Sequence, residues 1–229
     1  MGKLIVFEGL DGSGKETQTM LFHNFLNSLG IQHKIISFPD YNSPSSALLK
    51  MYLHGDFGTA DEVNPYIASS FYTADRYYGY KKKEWREFYE NGGTLISDRY
   101  STSNFIHQGA KFHMSQPELD TFLDWLDGFE YNKCGLPRPD KVIYLKIHPQ
   151  ISEKNLLKRY QGDTSKMDIH ERDKSYMEIC HATANYVADK YNWDIVPCSI
   201  MTEEGDCVMR DMNEIHTQII EMIDVDKPH

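Results

Sequence analysis

The sequence lacks the features that mark secreted, metal-binding or membrane-spanning chains. Its four cysteines (Cys134, Cys180, Cys198 and Cys207) form no C-x-x-C pair, so we expect neither a zinc site nor a disulfide framework. No apolar run approaches the length that crosses a bilayer, and the first residues lead into an apolar segment and not into a signal peptide. These absences favour a reduced, cytoplasmic protein without membrane association.

Positive charge is also scarce. The formal net charge of the 229 residues is −10, which argues against nucleic-acid polymers and anionic membranes as partners, because their binding draws on an extended basic surface. Any anionic ligand must therefore meet a local positive field. The ten histidines form no H-x-x-x-H or H-x-E pattern, so a histidine metal site is not expected either.

The opening stretch KLIVFEGLDGSGKETQ, residues 3–18, predicts a nucleotide site. Residues 4–7 are an apolar strand, and Gly9 to Lys15 have the G-x-x-x-x-G-K spacing of a phosphate-binding loop. In such a loop, backbone N–H groups at a helix N-terminus point at phosphate oxygens and the lysine adds a charge. A tight strand-to-helix turn with a chance lysine is the alternative. The residues assigned to ATP binding are Gly9, Leu10, Asp11, Gly12, Ser13, Gly14, Lys15, Glu16 and Thr17.

This loop departs from the pattern at one position. Glu16 stands where a serine or threonine hydroxyl would ligate Mg²⁺, and Thr17 follows it. A carboxylate at a helix start is favoured by the helix dipole but repels phosphate. We therefore expect Glu16 either to join the Mg²⁺ shell or to hydrogen-bond locally while Thr17 supplies the hydroxyl.

Apolar strands alternate with helical patterns along the rest of the chain. Further strands are predicted at 33–38, 94–97, 141–147 and 193–197. The main helices are predicted at about 21–29, 65–90, 115–126, 151–160, 172–191 and 206–223. The alternation predicts an α/β fold with a five-stranded parallel sheet flanked by helices. We expect a single domain over 1–229 with a short mobile lid at about 160–171, where the sequence is polar and aperiodic.

Polar residues follow the predicted strands, at the sheet edge where parallel sheets bind ligands. After the third strand, Asp98 can hold Mg²⁺ and Arg99 can reach a phosphate, although a charge pair that caps the next helix is the alternative. Tyr72 and Arg76 share a helix face that suits a planar base with carbonyl oxygens. A core tyrosine with a snorkelling arginine would give the same pattern. Gln108 can both donate and accept hydrogen bonds, as recognition of an imide edge requires.

Five motifs, in order, resemble the thymidylate kinase family. They are FEGLDGSGKETQ in the loop, FPD at 38–40, FYTADR at 71–76, SDRYSTSNFIHQG at 97–109 and DIHE at 168–171. The resemblance implies the P-loop nucleoside-monophosphate kinase fold and Mg²⁺-dependent transfer of the ATP γ-phosphoryl group to dTMP, giving dTDP. It also implies a homodimer. A kinase of another nucleotide or nucleoside on the same scaffold, or a nucleotide-binding protein without turnover, remains the alternative.

The resemblance also assigns roles to residues. Lys15 would hold ATP phosphates, Asp98 would organise Mg²⁺ and Arg99 would grip the acceptor phosphate. The residues assigned to acceptor binding are Asp11, Phe38, Tyr72, Arg76, Arg99, Ser103 and Gln108. Of these, Asp11 would approach the 3′-hydroxyl, Phe38 would wall the pocket and Tyr72 would stack on thymine. Arg76 and Gln108 would read the base edge, with Ser103 nearby.

Two expected arginines are missing from the motifs. Gly12 stands where some family members carry a catalytic arginine, which implies that a lid cation replaces it. Arg159, Lys166 and Arg172 are available, and Arg159 is preferred; a solvated surface residue is the alternative for each. No arginine follows the second strand, so Lys50 could contact the acceptor phosphate instead, or acceptor binding could be weaker.

Overall fold

Five parallel strands form the central sheet of the computed structural model, which describes residues 1–82, 85–163 and 173–223. The strands are β1 (Leu4–Glu8), β2 (His33–Ser37), β3 (Thr94–Asp98), β4 (Lys141–Lys146) and β5 (Asp194–Pro197). Their order across the sheet is β2-β3-β1-β4-β5, and each neighbouring pair is parallel. The predicted five-stranded parallel sheet is confirmed.

Helices connect these strands. They are α1 (Lys15–Ser28), α2 (Ala47–His54), α3 (Pro65–Lys82), α4 (Trp85–Glu90), α5 (Thr102–His107), α6 (Gln116–Asp127), α7 (Pro149–Arg159), α8 (Lys174–Lys190) and α9 (Met212–Met222). Shorter 3-10 turns cover Pro44–Ser46 and Gly109–Phe112, and a π-helical turn covers Gly128–Lys133. No helix in the described parts of the chain is long and apolar enough to span a membrane.

The central strand β1 is buried on both faces, which explains its unbroken apolar run. Ile5 and Phe7 pack in one core with Phe22 of α1 and residues of α9. Leu4 and Val6 point the other way, into a core that includes residues of α3 and α4. Because successive strand side chains alternate between faces, one short strand supports both layers of helices.

The strand register brings the polar motifs to one edge of the sheet. Phe7 of β1 lies opposite Asp98 of β3, and Ser37 of β2 lies opposite the same residue. The loops that follow β1, β2 and β3 therefore begin at the same level, at the carboxyl ends of parallel strands.

The helix predicted at 65–90 corresponds to α3 and α4, and residues 83–84 between them lie outside the described residues. The start of another predicted helix is wrong. The terminal helix begins at Met212 and not at residue 206, because Asp211 caps it by accepting from the N–H groups of Asn213 and Glu214. Residues ahead of it form an antiparallel hairpin of β6 (Ser199–Met201) and β7 (Cys207–Met209). The predicted lid at about 160–171 falls mostly on residues 164–172, which lie outside the described residues, as do Lys166 and Arg172.

Candidate active site

The loop between β1 and α1 has the backbone of a phosphate cradle. Gly12 and Gly14 have φ angles of +77° and +89°, a region that favours glycine. A Cβ on Gly12 would lie 2.9 Å from the carbonyl oxygen of Ser152, so no side chain fits there. Gly14 immediately precedes α1, whose first N–H groups have no acceptor within the helix. The loop therefore presents backbone donors and the positive end of a helix dipole to its surroundings.

Lys15 lies over this loop. Its Nζ donates to the carbonyl oxygens of Gly9 at 2.7 Å and Leu10 at 3.0 Å, and the residue is buried. Burial, with the nearby charge of Arg99, lowers the Lys15 pKa to about 8, against the opposing effect of Asp11 and Asp98. The ammonium is thus held beside the loop amides, where a phosphate group would meet both.

Helix α7 supports the loop from the other side. The Ser152 hydroxyl donates to the carbonyl oxygen of Asp11 at 2.5 Å, and Asn155 Nδ2 donates to that of Gly12 at 2.8 Å. Arg159 follows at positions i+7 and i+4 from these two residues, on the same helix face, and its exposed side chain lines the cleft beside the loop. Sequence reasoning missed Ser152 and Asn155, although their spacing to Arg159 was the available signal.

A second group of polar site residues surrounds Arg99, which directly follows β3. Arg99 has a φ of +62°, an uncommon conformation for a residue other than glycine, and its N–H donates to the Phe7 carbonyl at 3.1 Å. This conformation directs the guanidinium to four groups. Nη2 lies 2.6 Å from Asp11 Oδ1, and Nη1 lies 3.3 Å from Ser103 Oγ, 3.4 Å from His107 Nε2 and 3.6 Å from Glu8 Oε1.

The pKa shifts within this cluster keep both Arg99 and Asp11 charged. Burial alone would lower the Arg99 pKa, but Asp11 and Glu8 outweigh it and raise that pKa above its usual range. Burial alone would raise the Asp11 pKa, but Arg99 and Lys15 outweigh it and hold that pKa below its usual range, with a smaller contribution from Arg159. The two groups therefore remain an ion pair around neutral pH.

Glu8, at the end of β1, is a residue of the site that sequence reasoning missed. Its carboxylate is fully buried. Oε1 accepts from the Gly9 N–H at 2.9 Å, and Oε2 accepts from the hydroxyls of Thr102 at 2.7 Å and Ser103 at 2.8 Å. Glu8 thus joins the phosphate loop to the first turn of α5. A charged residue closing an apolar strand was the signal that could have found it. Ser103, predicted near the base, lies between Glu8 and Arg99.

A cleft of about 400 Å³ joins the loop to the ends of β2 and β3. The lining residues are Asp11, Gly12, Gly14, Lys15, Glu16, Thr17, Ser37, Phe38, Pro39, Asp98, Arg99 and Arg159. The structure therefore brings together most of the predicted loop residues with Phe38, Asp98, Arg99 and Arg159.

The cleft contains groups suited to Mg²⁺. Asp98 Oδ1 is buried without a hydrogen-bond partner among the described residues, and Glu16 and Thr17 are exposed on the loop side. No cluster of three or more potential ligands occurs in the described parts of the chain. Since Mg²⁺ is commonly held by one or two carboxylates with waters and substrate phosphates, the orphaned Asp98 oxygen fits this mode of binding.

Arg76, which is predicted to read a base, forms a buried ion pair. Its guanidinium does not reach the surface, so the snorkelling alternative is excluded. Its Nε lies 3.2 Å from Glu130 Oε2, and its Nη2 also contacts Oε1 of the same carboxylate. Thr73 donates to Glu130 Oε1 at 2.7 Å. Both members of the pair are fully buried. Glu130, which comes from the π-helical turn, was not predicted as a site residue.

Aromatic rings connect Arg76 to the cleft. The Arg76 guanidinium lies 6.0 Å from the Tyr100 ring centroid, and the Tyr100 ring is 5.8 Å from that of Phe38. The Phe38–Pro39 peptide is cis, and Asp75 accepts from the N–H of Asp40 at 2.8 Å, which ties the FPD segment to α3. Arg76 is therefore linked through the Tyr100 ring to Phe38, which lines the cleft.

Tyr72 lies on α3, and Gln108 directly follows α5. Tyr72 is half-buried and packs nearly edge-on against Tyr52, with ring centroids 6.4 Å apart. Gln108 is fully buried; its Nε2 lies 3.4 Å from Tyr52 Oη, and its Oε1 has no partner among the described residues. Lys50, an alternative phosphate contact, donates to the Tyr41 carbonyl at 3.1 Å.

The thymidylate kinase family model matches residues 7–205 of this chain. The chain belongs to the thymidylate kinase family. The thymidylate kinase of Arabidopsis thaliana is 34% identical over 149 residues, which cover 65% of this chain and 50% of that protein. The human thymidylate kinase is 30% identical over 146 residues, 64% of this chain and 61% of that protein. The matches thus span half to about three fifths of these two relatives.

Longer matches extend the comparison to almost the whole chain. The Danio rerio thymidylate kinase is 25% identical over 224 residues, 96% of this chain and 92% of that protein. The solved structure of the Candida albicans thymidylate kinase superposes with a TM-score of 0.69 at 22% identity, covering 96% of this chain and 90% of that one. The structural likeness confirms the predicted fold, the P-loop nucleoside-monophosphate kinase architecture.

Proposed function

We propose that this thymidylate kinase family member transfers the γ-phosphoryl group of ATP to dTMP, giving dTDP. The observation that carries the proposal is the ion pair of Arg99 and Asp11, with 2.6 Å between Nη2 and Oδ1, in one cleft with Lys15. It places a guanidinium that suits an acceptor phosphate directly against a loop that suits the phosphates of the donor.

On the donor side, the loop amides and Lys15 bind the ATP phosphates. Lys15 is already held by two loop carbonyl oxygens, so little side-chain ordering is needed when the nucleotide binds. Arg159 reaches the same cleft from α7 and supplies a cation to the transferred group, in the role that the loop leaves open at Gly12. Phosphoryl transfer depends mainly on such positioning and charge neutralisation.

Asp98 is the proposed holder of Mg²⁺ or its waters, with Glu16 as a second candidate on the loop side. Bound there, Mg²⁺ would neutralise charge on the donor phosphates. Replacing each carboxylate in turn distinguishes their contributions to Mg²⁺ binding. Asp98→Asn should raise the Mg²⁺ concentration needed for half-maximal rate far more than Glu16→Gln.

On the acceptor side, Arg99 binds the dTMP phosphate and Asp11 lies within reach of the sugar hydroxyl. Ser103 and Glu8 hold Arg99 in place. Phe38 forms the wall that connects the phosphate and base regions through Tyr100.

Base recognition falls to residues of α3 and to Gln108, which directly follows α5. Tyr72 stacks on thymine, and Arg76 and Gln108 address its polar edge. Arg76 is held rigidly by Glu130, so it presents its remaining donors in a fixed direction. The Gln108 oxygen, which has no partner in the described parts of the chain, supplies an acceptor for the imide N–H.

An assay of ADP formation with dTMP, dUMP, dGMP and thymidine tests the proposal. We expect dTMP to give the highest kcat/KM and thymidine to give almost no product, because thymidine offers no phosphate to Arg99. Lys15→Ala is the inactive control. Binding of ATP without ADP formation for any acceptor would favour a non-catalytic nucleotide-binding protein, and a preference for dGMP would favour another kinase on this scaffold.

A homodimer and a cytoplasmic location are further proposals. The homodimer rests on the family resemblance, and light scattering on the purified protein would test it. The cytoplasmic location rests on cysteines that are all unpaired in the structure. A single kinase domain over the whole chain remains a prediction, and a single cooperative unfolding transition would support it.

A further inference from the structure

Lys111 is a half-buried cation that the proposed reaction does not use. It lies in the 3-10 turn Gly109–Phe112, directly after α5. Its Nζ donates to the Val63 carbonyl at 2.8 Å and to Tyr52 Oη at 3.1 Å, and lies 5.2 Å from the Tyr52 ring centroid. Burial lowers the Lys111 pKa to about 8, with Asp61 and Cys180 opposing that shift. A side chain held by two such hydrogen bonds is suited to keep a neighbouring group in position.

The neighbouring group is the Gln108 amide, which Tyr52 connects to Lys111. An ammonium can only donate, so the Tyr52 oxygen accepts from Lys111. The same oxygen lies 3.4 Å from Gln108 Nε2, and Tyr52 is fully buried. The amide nitrogen is therefore directed toward Tyr52, and the amide oxygen is directed away from it.

This arrangement leaves a buried acceptor unsatisfied. Gln108 is fully buried, and its Oε1 has no hydrogen-bond partner among the described residues. An unpaired polar atom in the interior is unfavourable unless a ligand completes it. A ring N–H, as in an imide base, would donate to that oxygen. A base with an unprotonated ring nitrogen in the same place would present a second acceptor and be rejected.

We propose that Lys111 and Tyr52 are positioning residues that fix the Gln108 amide with its oxygen toward the acceptor base, and that they thereby select thymine or uracil over cytosine. The proposal rests on the proposed function, because it takes Gln108 as a residue that reads the base. Without the two positioning residues the amide could turn by 180° and offer its NH₂ group. The site would then tolerate the ring nitrogen of cytosine.

Steady-state kinetics with dTMP, dUMP and dCMP at saturating ATP test the proposal in the full-length protein. The variants are Tyr52→Phe, Lys111→Met and Lys111→Arg. A matched control pair lies away from the site, where Tyr186 and Lys190 both contact Asp120 at 2.7 Å. Tyr186→Phe and Lys190→Met remove the same chemical groups there. Thermal unfolding of each variant checks the fold, and calorimetric titration of dTMP and dCMP measures the same discrimination without turnover.

We expect the ratio of kcat/KM for dTMP to that for dCMP to fall about tenfold or more in Tyr52→Phe and Lys111→Met. The change should come mainly from a higher KM for dTMP, with kcat almost unaltered. Lys111→Arg, which can still donate to Tyr52, should recover most of the ratio. The two control variants should match the wild-type protein.

Two results would overturn the proposal while the proposed function stands. One is a dTMP-to-dCMP ratio within twofold of wild type in both Tyr52→Phe and Lys111→Met. The other is an equal loss of kcat for all three acceptors, which indicates a structural role. If the proposed function fails, the wild-type protein will form no ADP with dTMP. The calorimetric titration still tests the positioning proposal in that case. Equal binding of dTMP and dCMP by the wild-type protein would then reject it.

Discussion

Arg99 and Asp11 form an ion pair across the two halves of the site, with 2.6 Å between Nη2 and Oδ1. Arg99 follows β3, whereas Asp11 lies in the loop after β1, and the two strands are adjacent in the sheet. The pair therefore couples the geometry of the proposed acceptor-phosphate contact to that of the donor loop. Movement of either strand end would change both contacts together.

Replacement of Arg99 by lysine should lower kcat/KM for dTMP by about a hundredfold or more. A lysine ammonium is a point charge and cannot hold Asp11 and a phosphate through a planar fork of donors. Kinetics with dTMP varied at saturating ATP measure the effect. Arg86→Lys is the control, since its ion pair with Glu90 lies on the surface with side chains 39% and 42% exposed. Similar rates for the two variants would contradict the assignment.

Glu8→Gln should reduce kcat at least tenfold and also lower the free energy of unfolding by about 1–3 kcal/mol. The amide is neutral, so it loses the attraction to Arg99, and one of its two ends can no longer accept from Gly9, Thr102 or Ser103. Urea unfolding and steady-state kinetics measure the two effects. Glu90→Gln, at an exposed position, is the matched control. A stability loss without any change in kcat would restrict Glu8 to a structural role.

Variants of the Arg76–Glu130 ion pair should distinguish its contribution to stability from the contribution of Arg76 to acceptor binding. Glu130→Ala leaves a buried guanidinium without its carboxylate, which should cost about 3–5 kcal/mol of unfolding free energy. The double replacement Arg76→Met with Glu130→Met removes both charges and should recover much of that stability, because apolar side chains can replace a buried ion pair.

The same double variant should still bind dTMP poorly, since it lacks the guanidinium proposed to address thymine. Calorimetric titration with dTMP gives this affinity independently of turnover. A stable double variant with wild-type affinity for dTMP would remove Arg76 from base recognition.

The central sheet and the phosphate loop could be predicted because their signals are local. Apolar strands, glycine spacing and the polar residues at strand ends all lie within a few residues of one another, and parallel topology brings the strand ends to one edge. Lys15, Asp98 and Arg99 were found in this way, and their shared cleft follows from the register of β1 with β3.

The contacts that hold the site together could not be predicted, because the two partners of each contact are distant in sequence. Arg76 and Glu130 are 54 residues apart, and Glu130 lies in an irregular turn without periodicity. Glu8 and Thr102 are 94 residues apart. The β6–β7 hairpin was missed for a different reason, since strands of three residues are too short to establish an alternating pattern.

Arg159→Ala should lower kcat more than tenfold, with little change in KM for dTMP, if this cation neutralises charge that develops during transfer. The argument rests on the shared face of α7, where Ser152 and Asn155 fix the helix to the loop and direct Arg159 into the cleft. Lys158→Ala is the matched control: Lys158 is the adjacent exposed cation on the same helix and is absent from the described cleft lining. Because the two variants remove the same charge from neighbouring positions, a general electrostatic effect would lower both rates equally. Only a directed contact lowers the rate of Arg159→Ala alone, and equal rates would transfer the catalytic role to a cation elsewhere.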